Sequence, residues 1–195
     1  MGFGKQAKVK EEKSVLVNGA PLSIRRGALQ DAALLAEFGA RTFFETFAAD
    51  NTHENMAAYL SRSFNPEEQA AELADPRCLF QIAELNGVPV GYAMLRSHDE
   101  LPNISGKNPV ELVRLYVSRE SLGVGVGAAL MQAAINQAKQ KGYETLWLGV
   151  WEHNHRARAF YRKWNFHEVG THLFQLGDDR QTDILMLRSL SEEPH

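Results

Sequence analysis

One stretch decides the fold of this chain: Val113-Arg-Leu-Tyr-Val117, then Leu122-Gly-Val-Gly-Val-Gly127, then Ala128-Ala-Leu-Met-Gln-Ala-Ala-Ile135. It reads as an apolar strand that enters a loop with glycine at every second position and continues directly into a helix. Glycine has no Cβ, so the loop can curl tightly and turn its N–H groups toward one point. The free N–H groups of the helix's first turn face the same point, with the positive end of the helix dipole behind them. The stretch therefore predicts a backbone cradle for the phosphate oxygens of a cofactor.

Two common phosphate-binding motifs fit these glycines poorly. A Walker-type loop ends in Gly-Lys-Ser/Thr, whereas Gly127 is followed by Ala128 and Ala129. The dinucleotide-binding pattern G-x-G-x-x-G/A is formally met by Gly123, Gly125 and Ala128, with the acid Glu144 following. However, that acid opens a strand instead of ending one, and the glycines lie far from the start of the chain, whereas the dinucleotide motif opens its domain.

A second pattern follows the glycine loop: Asn154-His-Arg-Ala157-Arg-Ala-Phe160-Tyr161-Arg-Lys163-Trp-Asn-Phe166. It resembles the signature Asn-x-x-Ala-x-x-Leu/Phe-Tyr-x-x-x-Gly-Phe of the GCN5-related N-acetyltransferases. The glycine loop resembles the acetyl-CoA loop of the same family, Gln/Arg-x-x-Gly-x-Gly/Ala. Leu122 stands where the family has Gln or Arg, which removes one contact to the phosphates but leaves the backbone cradle intact. Asn165 stands where the family has Gly, and Asn tolerates the positive φ that such a helix end requires.

Four further segments resemble a narrower group, the PaiA-type bacterial polyamine acetyltransferases: Thr42-Phe-Phe-Glu-Thr-Phe47, Glu54-Asn-Met-x-x-Tyr-Leu60, Leu146-Trp-Leu-Gly-Val-Trp-Glu152 and Gly177-Asp-Asp-x-Gln-Thr-Asp183. The resemblance extends over residues 22–190. It implies one α/β (α+β) domain with a mixed, mostly antiparallel sheet of about seven strands and helices on both faces. It also implies that the sheet is splayed between its fourth and fifth strands.

Periodicity and turn signals place the individual elements. The predicted strands are 22–26, 78–85, 88–96, 110–117, 144–151, 166–175 and 182–189, and the predicted helices are 29–47, 52–62, 66–74, 125–141 and 154–164. Asn86-Gly87 predicts a tight hairpin, and Gly142 a left-handed end to the helix after the glycine loop.

Composition sets outer limits on the function. The chain has 195 residues, 44% of them hydrophobic, and a net charge of −3, which predicts neither a nucleic-acid partner nor a membrane partner. The single cysteine, Cys78, excludes an internal disulfide and agrees with a reducing compartment. We expect a flexible N-terminal leader over residues 1–20, an acetyltransferase domain over residues 21–191 and a cytoplasmic location. Whether the protein is a homodimer is left open.

The resemblance implies acetyl-CoA as the cofactor. Backbone N–H groups of the glycine loop would bind the phosphates of the cofactor. The N–H groups of Leu115 or Val117 would bind the cofactor arm and the carbonyl oxygen of the thioester, and Asn154 would bind the pantetheine arm. The full predicted set is Leu115, Tyr116, Val117, Leu122, Gly123, Val124, Gly125, Val126, Gly127, Ala128, Asn154, Ala157, Tyr161 and Lys163.

Acetyl transfer to an amine also needs a base and an acid. An alkyl amine has a pKa of about 10 and is almost wholly protonated at neutral pH, so it must first lose a proton. Glu111 is the first candidate base, because it lies six residues before Val117 and shares that residue's strand face by the period of two. Glu152 is the second candidate. Tyr161 occupies the signature position that implies the general acid for the departing thiolate.

The acceptor is predicted from the acidic residues of the PaiA-like segments. The carboxylates of Glu45, Glu152 and Asp183, with Asp178 and Asp179 beside the last, lie in the PaiA-like segments and favour a polyamine acetylated by direct transfer in a ternary complex. The alternatives are another amine acceptor (a protein N-terminus, an amino acid or an antibiotic) and a non-catalytic CoA-binding sensor. The histidines show no pair at metal-ligand spacing with a third ligand, so no metal site is predicted.

Overall fold

The computed structural model describes residues 15–17, 19–99 and 104–191. Within them, eight strands form one sheet in the order β1-β2-β3-β4-β5-β6-β8-β7. The strands are β1 Val15–Val17, β2 Ala20–Arg26, β3 Cys78–Leu85, β4 Val88–Arg96, β5 Pro109–Val117, β6 Thr145–Trp151, β7 His167–Leu176 and β8 Asp179–Ser189. The α-helices are α1 Ala32–Phe47, α2 His53–Ser63, α3 Pro66–Ala74, α4 Val126–Gln140 and α5 His155–Lys163.

The predicted elements are confirmed, with one strand in addition. Three of them, β3, β4 and α3, have the predicted bounds, and the others differ mainly at their ends. The additional strand is β1, which falls in the predicted flexible leader: Val15–Val17 pairs antiparallel with β2, and Val17 is buried in the core. The prediction missed it because three residues are too few to show a period. Residues 1–14 and 18 of that leader lie outside the described residues.

The sheet opens between β5 and β6, as the resemblance implies. These two strands are parallel and pair over three residues only, Pro109↔Thr145, Val110↔Leu146 and Glu111↔Trp147. All other neighbouring strands are antiparallel. Beyond Glu111 the two strands have no ladder between them, so the backbone edge of β5 toward β6 is available to a ligand.

Helices cover both faces of the sheet. On one face, which we call the α4 face, α4 buries residues such as Leu130 and Met131 in the larger core cluster, and α5 packs there through Phe160. On the opposite face, which we call the α1 face, α1 packs Leu35 and Phe38 onto side chains from β3 and β4. No helix among the described residues is long and apolar enough to cross a membrane.

A β-bulge in β5 changes which side chains share a face. The pairs Met94↔Arg114 and Leu95↔Leu112 leave Val113 as an extra residue. As a result Leu112 and Leu115, three residues apart, both pack into the core of the α4 face. The prediction that Glu111 shares a face with Val117 is therefore wrong. Because strand side chains alternate, Glu111 lies on the α1 face, opposite to its neighbour Leu112.

Candidate active site

A cleft of about 840 Å³ occupies the opening between β5 and β6. Its walls come from the C-terminal half of β5, the glycine loop and the start of α4, the end of β6, and α5. Side chains of α1, α2, β7 and β8 close its other end. Of the predicted site residues, those that line it are Glu45, Leu115, Tyr116, Val117, Leu122, Gly123, Gly125, Gly127, Ala128, Asn154, Ala157, Tyr161 and Asp183.

The glycine loop has the conformation that its sequence predicts. Gly123 and Gly125 have φ of 80° and 104°, which disfavours a side chain at either position, and Gly125 is the N-cap of α4. The first bond of the helix runs from Ala129 N to the Gly125 carbonyl oxygen at 3.0 Å. The N–H groups of residues 125–128 therefore have no partner within the helix, and they lie at the cleft with the positive end of the helix dipole.

Gly127 leaves open space in the cleft at the first turn of α4. It lies within the helix and lines the cleft, and an added Cβ would stand 3.7 Å from Val117 Cγ2 and 3.9 Å from the Phe160 ring. Both of those residues also line the cleft. The missing side chain thus opens the cradle without a strained backbone, and the site fits a phosphate-bearing cofactor.

The exposed edge of β5 supplies two further donors. Ser118 N donates to the Val90 carbonyl oxygen at 2.8 Å, which makes these two residues a hydrogen-bonded antiparallel pair. Such pairs alternate along the ladder, so Tyr116 also bonds to β4. The N–H groups of Leu115 and Val117 consequently point away from β4, into the opening of the sheet. They are placed as the resemblance implies.

Two arginines that the sequence analysis did not select stand beside the glycine loop. Arg119, in a 3₁₀ turn before the loop, and Arg156, in the first turn of α5, line the cleft with exposed side chains. Neither forms an ion pair within the described part of the chain. They bring positive charge to a site where Leu122 has replaced the family's polar or cationic residue. A pattern based on the loop alone did not reveal Arg156, because only the fold brings α5 to this side of the cleft.

Asn154 has a structural role that the prediction did not include. Its side-chain oxygen accepts a hydrogen bond from Ala157 N at 3.1 Å and so caps the N-terminus of α5. Its amide nitrogen has no hydrogen-bond partner among the described residues. That nitrogen is therefore the atom of Asn154 that remains for a ligand in the cleft.

Tyr161 is held by packing at the wall of the cleft. Its ring meets Phe160 and Phe166 edge-on, with centroids 5.5 and 5.7 Å away. The turn at Asn165, with φ of 61°, ends α5 as predicted and returns Phe166 against the ring. Burial raises the pKa of Tyr161 to about 12, so its hydroxyl keeps its proton at neutral pH. A hydroxyl in that state can donate a proton or a hydrogen bond.

The other end of the cleft is aromatic and acidic. Phe47 and Trp151 meet edge-on at 5.8 Å between ring centroids, and Tyr59 lies beside them in the wall. Glu45 of α1 and Asp183 of β8 bring carboxylates to the same region. Burial raises the pKa of Asp183 to about 6, and the charge of Glu111 adds to this effect, while His172 opposes it.

Glu111 does not line the cleft. It pairs with Trp147 at the closed end of the opening, and its carboxylate meets His98 Nε2 at 2.5 Å. Burial raises the pKa of Glu111, and His98 counteracts that rise. The carboxylate is close enough to influence Asp183 electrostatically. The predicted first base thus lies behind the aromatic and acidic end of the cleft, near Asp183, which lines it.

Four other predicted residues lie outside the cleft wall. Val126 is fully buried in the core, so only its backbone N–H is at the site, and Val124 packs against the same core cluster. Lys163 is the exposed last residue of α5. Glu152 follows β6, and its carboxylate lies 4.0 Å from His153. Among the described residues, no group of three His, Cys, Asp or Glu side chains is placed to hold a metal ion.

Comparison with known proteins agrees with this architecture. The sequence model of the Acetyltransferase (GNAT) family matches residues 40–166. An uncharacterized N-acetyltransferase of Lactobacillus delbrueckii subsp. lactis is 35% identical over 149 residues, which cover 76% of this chain and 86% of the relative. An uncharacterized N-acetyltransferase of Mycobacterium bovis is 35% identical over 162 residues, which cover 83% of this chain and 99% of the relative.

The same fold is found among solved structures. The PaiA N-acetyltransferase from Thermoplasma acidophilum, crystallised in complex with coenzyme A, matches with a TM-score of 0.71. The match covers 86% of this chain and 98% of that protein, at 23% sequence identity. A sheet opened beside a glycine loop and a helix N-terminus forms a site that fits a phosphate-bearing cofactor such as coenzyme A. The chain belongs to the Acetyltransferase (GNAT) family. It is an N-acetyltransferase whose cofactor is acetyl-CoA.

Proposed function

We propose that this N-acetyltransferase transfers the acetyl group to a primary amine of a small polyamine, by direct transfer in a ternary complex. One observation carries the proposal. The phosphate cradle and a pocket of aromatic rings and carboxylates line a single continuous cleft. Donor and acceptor can therefore be bound together, one from each end. The fold shared with the PaiA enzyme agrees with this assignment.

The cofactor is bound mainly by backbone N–H groups. Bound acetyl-CoA supplies an acetyl thioester, which is an activated acyl group. The N–H groups of residues 125–128 bind the phosphates, with Arg119 and Arg156 adding charge beside them. The N–H groups of Leu115 and Val117 bind the cofactor arm and stabilise the negative charge that develops on the carbonyl oxygen. One such donor contributes about 3–4 kcal/mol to catalysis in other enzymes.

Tyr161 provides the proton that the leaving group needs. Its hydroxyl is protonated at neutral pH, and its ring is fixed by Phe160 and Phe166. A rigid donor at the wall of the cleft is suited to protonate the departing sulfur as it leaves.

The acceptor pocket is suited to a cation. Carboxylates at Glu45 and Asp183 pair with ammonium groups, and the faces of Tyr59 and Trp151 attract them through their π electrons. Glu45 is exposed whereas Asp183 is partly buried, so the two carboxylates differ in their surroundings. A polyamine carries several ammonium groups along one chain, so one amine can be acetylated while another is held by the second carboxylate.

An acceptor panel tests this function. The purified protein is incubated with acetyl-CoA and with spermidine, butylamine, amino acids, N-terminal peptides or aminoglycosides, and acetylation is followed by mass spectrometry. Spermidine is expected to give the highest kcat/KM, and raised salt should reduce its advantage over butylamine through screening. Equal rates for spermidine and butylamine at low salt would exclude the polyamine and leave the class of enzyme unchanged.

A matched pair of variants tests whether the preference for spermidine over butylamine comes from the cleft. Glu45→Gln removes a carboxylate from the cleft wall, whereas Glu37→Gln makes the same change at an exposed position of the same helix outside the cleft. Only Glu45→Gln should lower the preference for spermidine over butylamine. An equal effect of both variants would show that the preference comes from overall charge and not from the pocket.

A further inference from the structure

We propose that Asp183 is the general base that takes the proton from the acceptor amine, with His172 and Glu111 as its positioning residues. The inference concerns acetyl transfer to any amine, and it does not depend on the amine being a polyamine. It differs from the interpretation of the sequence, in which Glu111 itself is the base.

Strand pairing brings Asp183 to the reacting end of the cleft. On β8 it lies directly opposite Trp151 of β6 on one side and His172 of β7 on the other. Asp183 and Trp151 both line the cleft. Glu111 does not, and its carboxylate is engaged with His98. Of these two partly buried acids, Asp183 is thus the one that an amine in the cleft can reach.

A glycine on the neighbouring strand makes room for this arrangement. A Cβ added to Gly149 of β6 would stand 3.2 Å from Asp183 Oδ2 and 3.6 Å from His172 Cε1. The carboxylate and the imidazole therefore both lie over the bare backbone of Gly149. Any side chain there would compete with the carboxylate for the same space. Residues of three strands, β6, β7 and β8, thus pack together and hold the carboxylate at the wall of the cleft.

The surroundings of Asp183 combine burial with opposing charges. The pKa of Asp183 is raised to about 6, mainly by burial; His172 of β7 opposes the rise and Glu111 of β5 contributes to it. Tyr59 of α2 lines the same cleft, and the pKa of its hydroxyl is raised by burial, with a smaller contribution from the charge of Asp183. Glu45 of α1 lines the same cleft but is exposed. A carboxylate whose pKa lies nearer to neutral is a stronger proton acceptor than an exposed one, and it is still ionised at pH 7.

The proton balance of the step is complete with residues of the cleft. The Asp183 carboxylate takes one proton from the ammonium group, which frees the nitrogen lone pair to form the N–C bond as the C–S bond breaks. Tyr161 gives its proton to the departing sulfur, and its oxygen recovers a proton from the newly acylated nitrogen. Asp183 then returns its proton to solvent, so one proton is released for each ammonium acetylated.

The first test compares Asp183 with an exposed aspartate outside the cleft, Asp50. Asp183→Asn should lower kcat/KM for spermidine about 100- to 10,000-fold at pH 7. The loss should shrink as the pH rises, because more of the free amine is already deprotonated. Asp50→Asn, at an exposed position outside the cleft, should be near wild type. CoA affinity and melting temperature, measured on each variant, show whether the fold and the cofactor site are intact. An Asp183→Asn variant within about threefold of wild type at pH 7 overturns the proposal.

The second test asks whether Glu111 and His172 act on Asp183 or have a purely structural role. Glu111→Gln removes a charge that raises the pKa of Asp183, so the acid limb of the kcat/KM profile should move to lower pH. His172→Gln removes a group that lowers that pKa, so the limb should move to higher pH. If the acid limb moves in the same direction in both variants, or does not move, Glu111 and His172 do not set the pKa of Asp183. The proposal would then be wrong for these two residues.

A third measurement does not depend on the acceptor. The carboxyl carbon of Asp183, followed by NMR in the free enzyme, should titrate near pH 6 and move in the same opposite directions in Glu111→Gln and His172→Gln. If spermidine is not acetylated, the polyamine proposal fails. The comparison of Asp183→Asn with Asp50→Asn, made with the amine that the acceptor panel selects, then decides the role of Asp183.

Discussion

The carboxylate of Asp183 lies over the backbone of Gly149, with Oδ2 3.2 Å from the point where a Cβ on that glycine would stand. The two residues are on adjacent strands, β8 and β6, and both line the cleft. Gly149→Ala should therefore displace the carboxylate by a few tenths of an ångström and lower kcat. Misplacement of a reacting group by about 1 Å costs on the order of 100-fold, so we expect a loss of about 3- to 30-fold. CoA affinity should stay unchanged. Wild-type turnover in Gly149→Ala would show that the carboxylate has room to move.

The cradle is best probed at Gly127, because the positive φ of Gly125 would strain the backbone of any substituted residue there. Gly127 is helical, so Gly127→Ala should gain about 0.5–1 kcal/mol of helix stability. Its new methyl group should meanwhile obstruct the phosphates and weaken CoA binding about tenfold or more, equivalent to roughly 1.4 kcal/mol. Calorimetry with CoA and a thermal melt measure both effects. Asn136→Ala, on an exposed position of the same helix, is the control. Unchanged CoA affinity in Gly127→Ala would place the phosphates elsewhere.

Replacing Leu122 tests whether the missing polar contact weakens cofactor binding. Leu122→Arg restores a cation at the first position of the loop and should strengthen CoA binding by about two- to fivefold at low salt. Conversely, Arg156→Gln should weaken binding by a similar factor. Arg180→Gln, an exposed arginine outside the cleft, should have no effect. Titrations at two salt concentrations should show that the differences shrink as salt rises. A neutral outcome for both Leu122→Arg and Arg156→Gln would mean that the backbone cradle alone determines affinity.

Removal of one hydroxyl tests the general acid. Tyr161→Phe keeps the ring that packs against Phe160 and Phe166 but should lower kcat about 100- to 10,000-fold. Melting temperature and CoA affinity should be close to wild type. Tyr143→Phe makes the same change in a tyrosine that packs against the core outside the cleft, and should leave kcat unaltered. Normal turnover in Tyr161→Phe would assign this tyrosine to packing alone.

The ionisation of Asp183 should also affect stability. Its pKa in the folded protein, about 6, exceeds the usual value of 3.8, so folding favours the protonated acid. The stability that this provides is fully present below pH 3.8 and is lost as the pH rises through 6. Asp183→Asn, which stays neutral, should consequently be more stable than wild type at pH 8 by roughly 1–3 kcal/mol. The gain should be smaller at pH 5. Thermal melts at both pH values measure it, and an equal gain at both would contradict the link to ionisation.

Local sequence signals determined the parts of the fold that depend on neighbouring residues. The glycine loop, the hairpin at Asn86 and Gly87, and the helix ends at Gly142 and Asn165 all appear as predicted. At each of these positions Gly or Asn permits a positive φ, so a short segment is sufficient to predict the conformation. The two acetyltransferase signatures could be recognised for the same reason, because each describes one loop or one helix start.

Tertiary structure alone decided which residues meet at the aromatic and acidic end of the cleft. The bulge at Val113 depends on pairing with β4, and it moved Glu111 to the other face of the strand. Asp183 meets Trp151 and His172 because β8 lies between β6 and β7, an order of strands that cannot be seen from spacing along the chain. A loop pattern specifies how a backbone holds phosphate, whereas the choice of base depends on which side chains distant strands bring together and on how deeply the fold buries them.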